Sequence, residues 1–130
     1  MADKHKRLQG ELDGLLGHKG VIGAAIVSRD GIPVMSRFVP AFSQLSFSMH
    51  VEGAMIAALL GAAEVALSEV DGGATERVTI ETAKTKMLVL GISEGLILVV
   101  LAEAGVHLET LVPAFSGTAE SVRKIAAGEA

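Results

Sequence analysis

Apolar residues recur at Leu8, Leu12 and Leu15 or Leu16, three to four positions apart, which places them on one face of a helix over Asp3 to Leu16 with Asp3 available as its cap. The spacing then changes. VIGAAIVSRDGIPVMSRFV holds two β-rich runs, Val21 to Arg29 and Ile32 to Val39, which meet at Asp30-Gly31. Both residues of that pair tolerate positive φ, so a two-residue hairpin turn is expected. After a loop from Pro40 to Phe47, SMHVEGAMIAALLGAAEVALSEV (Ser48 to Val70) is built almost wholly of Ala, Gly, Leu, Ile and Met with scattered acids. It predicts one long helix, ended by DGGA at Asp71 to Ala74. Three strands follow, Glu76 to Thr82, Thr85 to Gly91 and Gly95 to Ala102, with connectors so short that neighbours must run antiparallel. Leu108, Leu111, Val112, Phe115, Ala119, Val122 and Ile125 then predict a helix from His107 to Ala126, in which Pro113 either kinks the helix or marks its first turn.

Burial patterns order the strands. Val21 to Val27 and Leu96 to Leu101 are apolar on both faces, as central strands are, whereas Arg77, Thr79 and Glu81 alternate with Val78 and Ile80 as on an edge. Pro33 and Arg37 put the second strand at the other edge, beside the first. The expected fold is an α+β sandwich: a five-stranded antiparallel sheet in the order 2-1-5-4-3, with a long helix of roughly 30 Å crossing between its edges. Five strands make a face roughly 20 to 24 Å wide, and one packed helix covers about 10 Å, so two covered faces require about four helices. The chain supplies three. Ile56, Leu60, Ala63, Leu67 and Val70 form the stripe assigned to its own sheet, with Met55, Leu59, Ala62 and Ala66 beside it. Gly53, Ala57 and Gly61 recur every four residues on a third face, where a second backbone could come close. A partner is expected to complete the cover.

Composition narrows the function. The 130 residues are half hydrophobic, long enough for one domain spanning 1–130 with one core. Net charge is -4 and pI about 5.5, which provides no basic field for nucleic acid or an anionic membrane. Cysteine is absent, and the charged N-terminus MADKHKRLQGELDG lacks the apolar stretch of a signal peptide, so a cytoplasmic protein is expected. Glu52, Glu64 and Glu69 interrupt the long helix short of a membrane span. His5, His18, His50 and His107 show no metal-ligand spacing, and Asp30 beside Ser28 is explained by its turn. Glu94 and Glu103 stand at opposite ends of the last strand, too far apart for a paired acid and base. GLLGHKG has neither the spacing nor the preceding strand of a phosphate loop, and its GHKG is read as a helix stop. With no Tyr or Trp and four Phe, stacking platforms for bases are missing. No catalytic residue, metal site or cofactor is expected, and the chain is read as a non-enzyme.

The order helix, hairpin, long small-residue helix, meander, helix, together with GAAIVSRDGIPV, ERVTIET and MLVLGISEGLILVVLAE, resembles the Roadblock or dynein light chain family, including its prokaryotic MglB-like members. The resemblance covers nearly the whole chain. It implies a profilin- or longin-like sheet with the long helix on one face, the terminal helices on the other, and a homodimer that pairs the third strands and sets the long helices side by side. On this sequence that interface comprises Gly53, Met55, Ala57, Leu59, Gly61 and Ala62 on the helix and Arg77, Thr79 and Glu81 on the strand. The family implies binding of a small Ras-like GTPase, as a regulator of hydrolysis or a scaffold. A direct arginine finger would fall to Arg29, Arg37 or Arg77, taken as exposed, although solvated surface charge is the simpler explanation for each. A pure structural adaptor and a small-ligand sensor remain alternatives.

Overall fold

A computed structural model describes residues 2–42, 49–93 and 95–128. Its elements are α1 (Ala2–Leu16), β1 (Val21–Ser28), β2 (Pro33–Phe38), a short 3-10 turn (Pro40–Phe42), α2 (Met49–Glu69), β3 (Arg77–Glu81), β4 (Thr85–Gly91), β5 (Leu96–Glu103) and α3 (Leu108–Ala126). Most of the loop expected up to Phe47, Ser48 at the expected helix start, and Glu94 lie outside the described residues. The strands form one antiparallel sheet in the order β2-β1-β5-β4-β3. This is the order that two-sided burial of the first and fifth strands requires.

Alternation divides the core. Ala24 and Ile26 of β1, Leu98 and Val100 of β5, and Leu88 of β4 face α1 and α3, where Leu8, Leu12, Leu15, Phe115 and Val122 complete the larger cluster. Their neighbours Ala25, Val27, Ile97, Val99 and Val89 face the other way, onto Ile56 and Leu60 of α2. Two helices thus cover one face and a single helix the other. Asp3 falls within the first turn of α1 rather than at its cap, where its charge still favours the helix N-terminus. Pro113 does not start α3: the helix begins at Leu108 and continues through it, with Pro113 and Glu109 both exposed, so the carbonyl that loses its intrahelical bond is left to water.

The β1–β2 turn differs from the two-residue form. The Gly31 N–H donates to the Ser28 carbonyl at 2.9 Å and the Ser28 N–H to the Ile32 carbonyl at 2.8 Å, which makes Arg29, Asp30 and Gly31 a three-residue loop. Gly31 alone takes positive φ, at 85°, while Asp30 stays in the ordinary region. One glycine suffices because the register also shifts at Ile26 and Val27, and the bulge absorbs the extra residue.

Gly31 has a second task. A Cβ there would lie 2.6 Å from the Ala54 Cα, and a Cβ on Gly53 would lie 2.7 Å from the Gly31 carbonyl oxygen, so the start of α2 docks on the turn backbone to backbone. Gly53 is therefore buried inside its own chain. The repeat Gly53, Ala57, Gly61 is not one free face, since Ala57 packs against the smaller core while nothing lies near Gly61. The predicted sheet-facing stripe also ends early: Ile56 and Leu60 are buried and Ala63 half-buried, but Leu67 and Val70 are exposed. A straight helix leaves a twisted sheet as it crosses it. The helix stops when the Gly72 N–H bonds the Leu67 carbonyl at 2.7 Å and Asp71 takes a left-handed φ of 51°.

The two helical glycines should therefore respond oppositely to alanine. Gly61→Ala is expected to raise unfolding stability by about 0.5–1 kcal/mol through helix propensity, and Gly53→Ala to lower it by about 1–3 kcal/mol through overpacking. Urea unfolding monitored by circular dichroism measures both; equal shifts in the same direction would contradict the docking geometry.

Candidate functional site

The outer side of α2 carries no cation. Ala54, Met55, Ala58, Leu59, Ala62, Val65 and Ala66 line it, most of them exposed, with Met55 66% and Val65 61% accessible, and the chain just past the helix adds Val70 at 72%. Every charge on the helix is a carboxylate, Glu52, Glu64 or Glu69.

Beside this face lies the free edge of the sheet. Thr82 donates its N–H to the Thr85 carbonyl at 2.8 Å, closing the β3–β4 hairpin on a hydrogen-bonded pair. Alternation from that pair turns the backbone groups of Val78 and Ile80 toward β4 and those of Arg77, Thr79 and Glu81 outward, where no described strand pairs with them. Side chains alternate likewise, with Val78 packed against the α2-side core and Ile80 on the same face. Of the nine interface residues expected from sequence, Met55 and Leu59 are exposed on the outer side of α2 with Gly61 and Ala62 beside them, Arg77, Thr79 and Glu81 are exposed at the β3 edge with side chains on the α1 and α3 side of the sheet, and Gly53 and Ala57 face their own chain.

Two of the three candidate arginines are engaged within the chain, and the third, Arg77, is exposed. Arg29 donates from Nη1 to Glu64 Oε1 at 2.7 Å, with its side chain only 28% exposed. Its guanidinium passes over Gly91, where a Cβ would lie 2.8 Å from Nη2, and its Nε is buried without a partner. Far from being an exposed finger, Arg29 ties the hairpin loop to the middle of α2. Sequence reasoning missed this contact because the two residues lie 35 positions apart. The cue was available in the one acid in the middle of an otherwise apolar helix segment. Arg37 holds Asp13 of α1 at 2.8 Å and Arg77 lies 3.7 Å from Glu76. On α3, the hydrogen bond from Arg123 holds the Glu120 carboxyl below its ordinary value.

Other chemistry is sparse. Among the described residues no three His, Cys, Asp or Glu side chains cluster as metal ligands would, and no helix is long and apolar enough to cross a membrane. An apolar hollow on the α2 face of the sheet, lined by Gly23, Ala25, Phe38, Met87, Val99 and Leu101, has a volume of about 10 Å³, room for about one water. A wider cleft bordered by His18, Lys19, Glu103 and His107 opens between the end of α1 and the start of α3.

The family model for the Roadblock/LC7 domain matches residues 8–102, which spans β1 to β5 and most of α1. The chain belongs to the Roadblock/LC7 family. The uncharacterized protein MJ1340 of Methanocaldococcus jannaschii is 35% identical over 107 residues, 81% of this chain and 87% of that protein. The Roadblock/LC7 domain from Streptomyces avermitilis superposes with a TM-score of 0.79 at 22% identity, covering 91% of this chain and 96% of its own. The gliding protein MglB from Thermus thermophilus gives 0.85 at 14% identity, covering 96% and 92%. Acanthamoeba castellanii profilin IA, at 0.58 and 16% identity over 95% and 97%, shows that the Roadblock sheet is profilin-like. At these identities the structures speak to the fold.

Replacing Glu64 by Gln removes the charge opposite Arg29 while keeping an acceptor. A loss of about 0.5–1.5 kcal/mol is expected, read from the urea midpoint at unchanged slope. An unmoved midpoint would mean that the pair is solvated and does not hold α2.

Proposed function

We propose that this Roadblock/LC7 chain is a cytoplasmic, non-enzymatic regulator or scaffold that forms a homodimer and presents its paired α2 helices to a small Ras-like GTPase. The observation that carries the reading is the exposed apolar side of α2 lying beside an open strand edge. A patch of this kind is uncommon on a protein that functions alone. Two copies joined at β3 set α2 next to its counterpart and leave a broad, mostly aliphatic platform. Met55, Leu59, Gly61 and Ala62, with Arg77, Thr79 and Glu81, form the self-association surface and its margin.

The engaged arginines shape the mechanism. Arg29 and Arg37 are held by carboxylates of their own chain, and Arg77 lies beside Glu76, which supports a mechanism that orders the GTPase's own residues against the platform over a direct finger from any of the three. The same ion pairs favour the second reading, a structural adaptor with no effect on hydrolysis. GTP turnover by a Ras-like GTPase captured with this chain, measured with and without it, separates the two.

The platform reading is tested by Leu59→Arg, which puts a charge at the centre of the apolar face without touching the core. The variant is expected to fold with an unchanged circular dichroism spectrum and to lose GTPase capture. Ala57→Arg serves less well, because Ala57 packs on the core. Retained capture by a folded Leu59→Arg protein would refute the platform.

A further inference from the structure

The two faces of the molecule carry charge differently. α2 bears only carboxylates, whereas cations gather where the start of α1 meets the end of α3. There the Lys4 Nζ donates to the Ala126 carbonyl at 3.0 Å, which pins the first turn of one helix to the last turn of the other. At the opposite ends of the pair His18 and His107 border one cleft, so the two helices run antiparallel. Between them lies a groove of about 280 Å³, lined by Arg7, Gly10 and Glu11 from α1 and by Ser121, Lys124 and Ile125 from α3.

The cations here are uncommitted. Carboxylates hold Arg29, Arg37, Lys86 and Arg123, but Lys6, Arg7 and Lys124 form no ion pair among the described residues. Glu120, one turn from Lys124, is taken by Arg123 at 2.8 Å. Glu11 is the one acid that lines the groove, and it is half-buried. Lys4, Lys6 and Arg7 stand in the first turns of α1, where the helix dipole disfavours positive charge, so the helix itself gains nothing from them. The surface between the helices is also kept low. Nothing lies within 4 Å of where a Cβ would stand on Gly10, on Gly14 one turn further along α1, or on Gly117 of α3. No contact within the chain requires these glycines, and glycine is disfavoured in a helix interior, but it lets another backbone come close.

We propose that the α1–α3 groove seats an acidic helix of a partner protein, whose carboxylates meet Arg7 and Lys124 while its backbone passes over the glycines. This surface lies on the opposite side of the sheet from α2, so the inference goes beyond the platform reading and does not depend on it. Charge selects the occupant: the chain as a whole is acidic and repels a polyanion except at a local patch such as this one. An anionic lipid surface fits less well. Helices that lie on a membrane present large apolar side chains beside their cations, and the exposed large apolar residues of this chain all lie outside α1 and α3.

The test is a titration of the isotope-labelled chain with a capped peptide of Glu-Ala-Ala-Ala repeats, followed through amide chemical shifts. Saturable shifts confined to the surroundings of Arg7, Gly10, Ser121 and Lys124 are expected, with binding that weakens as salt is raised. The double reversal Arg7→Glu with Lys124→Glu should weaken binding about tenfold, and Gly10→Leu, which fills the groove without changing its charge, should do the same. All three positions are exposed, so each variant should keep its circular dichroism spectrum. Shifts spread over the whole surface, or binding that survives the reversal, would overturn the proposal. Binding that is lost on reversal but kept by Gly10→Leu would mean a flat charged contact in place of a seated helix, and would overturn it as well. Binding to phosphatidylserine vesicles without binding to the peptide would assign the patch to a lipid surface instead. None of these failures touches the α2 platform, whose Leu59→Arg variant alters the other face.

Discussion

A sheet that is apolar on both faces, in a chain with three helices to cover it, is the constraint on which this molecule turns. β1 and β5 are buried on each side, and the alternation of Ala24 and Ile26 against Ala25 and Val27 divides them between two cores. α1 and α3 together close one face. α2 alone must serve the other, and it does so through Ile56 and Leu60 while the rest of its apolar surface faces outward. The exposed Met55 and Val65 follow from that imbalance.

Close approach at one end of α2 sets its path. Gly31 and Gly53 let the helix begin in contact with the β1–β2 turn, and the Arg29–Glu64 pair holds it further along. Beyond Glu64 the helix runs to its end at the Gly72 N–H bond to the Leu67 carbonyl, and its last turn is exposed. The helix is therefore fixed where it meets its own sheet and left available toward β3, the edge proposed to meet a second copy. Its acidic charges fit this arrangement, since Glu64 is engaged within the chain and Glu69 lies at the exposed end.

Strand order and the two helices of the larger core were legible in the sequence because they depend on period-2 and period-3.6 patterns that a single chain displays directly, and the family was legible as a resemblance in the hairpin and the last two strands. Small residues were harder to read. Gly53 and Gly61 look alike in a four-residue repeat, yet one meets its own hairpin and the other meets nothing, a distinction that depends on where the turn at Gly31 falls in space. The hairpin loop was misjudged by one residue because Asp-Gly serves both a two-residue turn and a three-residue loop with a bulge, and only the register decides between them. Arg29 was misread as exposed for a similar reason: its partner is remote in sequence. Interface residues chosen by type alone therefore divided, the outward Met55 and Leu59 from the inward Gly53 and Ala57.

The central claim is that the open edge and apolar helix face are completed by a second copy of the chain. Amide hydrogen exchange at Arg77, Thr79 and Glu81, followed as the protein is diluted, tests it most directly, because these are the β3 groups with no bond inside the sheet. The account predicts protection at high concentration that is lost on dilution, while Val78 and Ile80, bonded to β4, stay protected throughout. Rapid exchange at residues 77, 79 and 81 at every concentration would contradict it.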